Sequence, residues 1–176
     1  MMDMFEMAKA NADLLVSNLE KLSGNEHPDR KYGHFVLGMF NVDSPNRLAL
    51  ESAEIGNNPL PEKRTKYAFL AHEKAIGNIS YWRDNQDLTA LSRAPTVDEG
   101  LLRYLGSALT IADDGRGVVS AFSGHPEGKV DEAISALVNY SIGLASENQL
   151  IQISEMSSNQ YIASMLELCR TLNIIS

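Results

Sequence analysis

Cysteine is almost missing from this chain: its 176 residues include one, Cys169. A lone cysteine closes no internal disulfide and leaves no zinc-ribbon or thioredoxin-type spacing. Its place inside an apolar pattern reads as a buried structural thiol. Basic residues are scarce as well. Fifteen Lys and Arg stand against 23 Asp and Glu, a net charge of −8, which opposes binding to nucleic acid or to an anionic membrane surface. Long hydrophobic runs are absent too. The opening 22 residues mix acids into their apolar positions, unlike a signal peptide or a membrane span, so the expectation is a soluble cytoplasmic protein. Four histidines, His27, His34, His72 and His125, show no pair at metal-ligand spacing, so no dedicated metal site is expected.

What is present is a 44% hydrophobic composition at a length that suits one well-buried core. Phe5, Ala8, Ala12, Leu15, Leu19 and Leu22 fall at alternating spacings of three and four, one stripe of a first helix ending near Ser23-Gly24. Residues 34–42 and 47–55 are strand candidates joined by the turn Asp43-Ser44-Pro45-Asn46. Pro61 and Glu62 suit the first turn of a second helix that carries Ala68, Ala71, Ala75 and Ile79 on one side. From Asp84 to Glu99 the pattern dissolves into polar residues with a short apolar patch at Leu88–Leu91 and Pro95, a stretch expected to be a loop with a short helical turn, and residues 99–105 lead into a second hairpin.

That hairpin is the most informative segment. Leu109-Thr110-Ile111 and Val118 to Phe122 flank the turn Asp113-Asp114-Gly115. The loop His125 to Gly128 follows, and Val130, Ala133, Ile134, Leu137, Val138, Ser141, Ile142 and Ala145 recur at helical spacing. The order helix, hairpin, helix, hairpin, helix predicts an α+β fold, an antiparallel sheet flanked by helices. Beyond residue 146 a C-terminal helix carries the stripe Tyr161, Met165, Leu168 and Leu172. The expected organisation is therefore a core domain over residues 1–146 with a helical extension, 147–176, packed on it.

Gly106, Gly115, Val118, Val119, Ser123, Gly124, Asp131 and Glu132, with Ala71 to Ala75 upstream, make the chain resemble the GlcG/HbpS-like family of small α/β domains over roughly residues 5–146. The resemblance implies a profilin-like layered domain that binds haem or a related planar ligand near the corner from Ser123 to Gly128. The chain departs from the family pattern at Glu51 to Asn58, which is acidic where an Arg is usual. It also has Ser107 and Ser120-Ala121 where glycines are usual.

Chemistry-bearing residues are few. His125 follows a strand end and a glycine, where side chains commonly enter a cleft beside a helix N-terminus, and His72 lies beside the alanine stripe. Either would serve as an axial haem ligand by its chemistry. Phe122 would either stack on a planar ligand or fill its space, and Ser123 and Gly124 complete the expected binding corner. Asp113-Asp114 reads as turn, and Asp131-Glu132 as first-turn acids favoured by the helix dipole. No Gly-x-Ser-x-Gly elbow, no dinucleotide fingerprint and no other catalytic constellation is present. Two function classes remain: a small-molecule binding module, and a non-catalytic homo-oligomeric interaction protein that assembles through its outer helices.

Overall fold

The computed structural model describes residues 3–57, 60–92 and 106–175. The chain is α+β: helices cover both faces of a five-stranded antiparallel sheet of order β2-β1-β5-β4-β3. The strands are β1 (Tyr32–Asn41), β2 (Ser44–Gly56), β3 (Ala90–Leu91), β4 (Ser107–Ile111) and β5 (Arg116–Ser123). The helices are α1 (Met4–Ser17), α2 (Arg64–Asp84), α3 (Gly128–Ser141), α4 (Glu147–Ser157) and α5 (Tyr161–Thr171). None of them is long and apolar enough to cross a membrane.

Period-two alternation in the central strands assigns each side chain to one of two cores. Phe35 and Leu37 of β1, with Val118 and Phe122 of β5, join α1, α3 and α5 in the larger core. Val36 and Phe40, with Val119 and Ala121, meet Ala71, Ala75, Ile79 and Trp82 of α2 on the other face. The predicted stripe of α1 is buried along its whole length. A 3₁₀ turn over Leu19–Lys21 extends it. Two serines of the sheet are attachment points between sheet and helix. Ser107 Oγ accepts from Asn78 Nδ2 of α2 at 2.8 Å, and Ser120 Oγ donates to the Ser135 carbonyl of α3 at 2.7 Å.

Four expectations need correction. The first hairpin turns at Val42-Asp43 rather than over residues 43–46, because the Asn41 side chain accepts the Asp43 N–H at 2.9 Å and closes the turn early. Ser44 and Pro45 consequently begin β2, an edge strand, where a missing N–H is tolerated. The apolar patch at Leu88–Leu91, expected within a loop, contributes a strand: Ala90 and Leu91 pair with Thr110 and Leu109 of β4. The helix after the second hairpin stops at Ser141, with Gly143 at φ 76°, so Ala145 lies outside it. Beyond it stand two helices in place of one. The Ser146–Gln149 capping box starts α4, and Ser158 at φ 50° ends it. The expectations for residues 93–105 fall outside the described residues.

The α5 stripe settles where its apolar face goes. Tyr161, Met165 and Leu168 are buried in the same core as α1 and α3, with Leu172 partly buried against it. That face is therefore consumed within the chain.

Candidate functional site

The corner after β5 is built around a buried ion pair. Lys74, on the flank of α2, reaches past the end of the sheet to Asp131 Oδ2 at 3.1 Å and donates to the Phe122 carbonyl at 2.9 Å. Both side chains are almost fully buried, 6% and 3% exposed. The approach requires glycine at 106, since a Cβ there would collide with Lys74 Nζ and lie 2.8 Å from the Phe122 carbonyl oxygen. Asp131 Oδ1 accepts the His125 N–H at 3.0 Å, so one carboxylate fastens α2, β5 and the loop together. Burial pushes its pKa up to about 6, against the pull of Lys74. Its neighbour Glu132 is also buried, not displayed to solvent. It accepts from Ser157 Oγ and Asn159 Nδ2, each at 2.6 Å, and burial raises its pKa.

These contacts close the expected binding corner. His125 is 7% exposed and has both ring nitrogens engaged. Nδ1 accepts the Glu127 N–H at 3.1 Å, which leaves the proton on Nε2 for Asn25 Oδ1, also at 3.1 Å. No lone pair is left for a ligand. Phe122 has no exposed surface, and its ring occupies the space beside Gly33. Of the two roles considered for Phe122, space-filling is the one it performs. Gly124 admits the backbone of β1: a Cβ there would collide with the Tyr32 carbonyl oxygen and lie 2.6 Å from Gly33 Cα.

Ser123 and His72 belong to the opposite face of the sheet. Ser123 pairs in register with His34 of β1, and His34 pairs on its other side with Glu54 of β2. His34 was not singled out from the sequence. Its even-numbered alternation with Val36 and Phe40 assigns it to the α2 face, and there its ring lies 5.9 Å from that of His72, centroid to centroid. His72 Nδ1 donates to the Ala68 carbonyl at 2.8 Å, leaving the Nε2 lone pair free. His34 Nε2 is buried and has no partner. Burial, and secondarily the neighbouring His72, push the His34 pKa down, with Glu54 opposing. His125 is likewise pushed down, by burial first.

NMR titration of the histidine Cε1–H resonances is expected to place His34 and His125 below 6.5, their ordinary value. A folded-state pKa depressed in a base means that these two sites favour the fold above that value and lose the contribution as pH falls. A midpoint at or above 6.5 for either would contradict the burial argument.

His72 opens onto a flank of α2 that carries exposed apolar side chains. Phe69, three residues before it, is 65% exposed, and Ile76, four residues after it, is 52% exposed. These spacings put all three side by side. The helix packs on β1, β5 and β4 but reaches β2 only slightly, so the α2-facing side of β2 is uncovered there. Leu50, Ser52 and Glu54 are all exposed. Among the described residues, no three His, Cys, Asp or Glu side chains are grouped to hold a metal ion. Cys169 is buried and its thiol is pushed up to about 12 by burial, which removes it from redox chemistry at neutral pH. Comparison of the chain with protein-family models, curated proteins and solved structures finds no match.

Proposed function

We propose that this domain is a small-molecule binding module that seats a planar apolar ligand, such as haem, on the outer flank of α2 with His72 as the donor. The observation that carries the reading is His72 itself. Its Nε2 is left free by the Ala68 hydrogen bond, and it stands between exposed Phe69 and Ile76. Apolar groups that water would otherwise wet gain by covering a planar ligand, and contiguous exposed apolar surface marks binding sites more often than chance allows. The resemblance to the GlcG/HbpS-like family supports the ligand class. The seat differs from the corner that the resemblance indicated, which is filled by Phe122 and sealed by His125 and Asp131.

A haem titration followed in the Soret region tests it. The expected result is a saturable, shifted band in the wild type, retained in His125→Ala and lost in His72→Ala. A flat or unsaturable response in the wild type would remove the reading. It would favour a homo-oligomeric interaction domain that docks through the groove between α4 and α5, about 330 Å³ in volume and lined by Leu150, Ile151, Ile162 and Leu166.

A further inference from the structure

We propose that His34 and His72 form a binding site for one divalent transition-metal ion of the imidazole-preferring kind, copper, nickel or zinc, held between the two Nε2 atoms. Three observations converge on it. The first is distance. With metal–nitrogen bonds of about 2.0–2.1 Å, two imidazoles sharing an ion have ring centres roughly 5 to 6.5 Å apart as the angle at the ion opens from tetrahedral to linear. The observed separation is 5.9 Å, with the rings tilted by 38°.

The second is the tautomer of His72. A ligating histidine characteristically donates its other ring N–H to a carbonyl or carboxylate, which fixes the ring and raises its basicity. His72 does this with the Ala68 carbonyl 2.8 Å from Nδ1. The third is the orphaned Nε2 of His34. A buried polar atom without a partner is costly and calls for an explanation such as an ion. Two protein donors leave the remaining coordination positions to water, since no third His, Cys, Asp or Glu is grouped with them among the described residues.

The inference does not rest on the planar-ligand reading, although both use His72 Nε2 and the two occupants therefore exclude one another. Cu²⁺, the tightest binder of the divalent first-row series, is the probe, titrated into the purified full chain and followed by calorimetry and electron paramagnetic resonance. The expected outcome is one ion per chain with hyperfine structure from two nitrogens, and at least tenfold weaker binding in both His34→Ala and His72→Ala. His27→Ala is expected to bind as the wild type does. Circular dichroism confirms the fold of each variant, and His72→Ala, at a partly buried helix position, is the variant least disturbing to it. No saturable one-equivalent phase in the wild type, or binding that survives both substitutions, would overturn the site. Haem and metal readings separate cleanly: Phe69→Ala with Ile76→Ala is expected to weaken haem and spare Cu²⁺, whereas His34→Ala weakens Cu²⁺ and spares haem.

Discussion

Lys74→Met is expected to destabilise the fold by about 3–5 kcal/mol at pH 7, the cost of leaving a buried carboxylate without its cation. For a chain of this length that corresponds to a melting temperature lowered by roughly 10 °C. Asp131 would keep the His125 N–H but lose Nζ, and the Phe122 carbonyl would lose its donor. Methionine matches the length of the lysine stem, so the loss reports the charge and not a cavity. Adding Asp131→Asn is expected to recover most of it, because an amide needs no counterion and still accepts the His125 N–H.

The same pair gives a pH signature. The folded carboxyl of Asp131 binds its proton at about 6, above its ordinary 3.8, so this site favours the fold most fully below 3.8 and loses that contribution as pH rises through about 6. Lys74 helps only the ionised form. The stability gap between wild type and Lys74→Met should therefore narrow as pH falls from 7 to 5. Denaturant titrations at the two pH values measure it. A gap that stays constant or widens would show that Asp131 is not the group that Lys74 serves.

Gly124→Ala is the second large effect. The new methyl group would collide with the Tyr32 carbonyl oxygen and stand 2.6 Å from Gly33 Cα. These are backbone atoms of β1, held in register against β5, with His34 opposite Ser123. Rotation of a side chain cannot relieve the overlap, so the strand must shift. Overpacking of this kind costs about 1–3 kcal/mol and sometimes more, and a clash with backbone belongs at the upper end. A urea midpoint equal to that of the wild type would show that the corner yields more easily than its packing implies. The expected behaviour is a clear drop in midpoint together with loss of the Asp131-bound His125 amide from the slowly exchanging set.

Periodic signals were legible and non-local ones were not. The stripe from Phe5 to Leu22 and the hairpin around Asp113-Asp114-Gly115 could be read because each is specified by neighbours in the chain. β3 escaped because two residues carry no period. Their strand character comes from pairing with β4 across a long connection. The start of α4 was written in the sequence as Ser146-x-x-Gln149, a capping signature that composition alone does not reveal. The site divides in the same way. His72 could be named from the sequence, but its partner His34 lies on another element, and nothing local signals that a helix and a strand will bring two rings together. Asp131 was correctly placed in a first helical turn. The burial that makes it a tie between α2 and β5 depends on Lys74, Gly106 and the end of the sheet, all remote in sequence.

The strand order carries a consequence for how the molecule assembles. β1, made early, finds one neighbour at once in β2 but must wait for β5, some 80 residues later, for the other. The α1 stripe waits longer still, because the core it enters is finished by α5, well over a hundred residues further along. Long-range closure of this kind slows folding, since loop entropy is lost before the distant contacts reward it. During synthesis the first hairpin and α1 therefore stand exposed until α5 has emerged. That interval is when this chain is most open to aggregation and to capture by a chaperone.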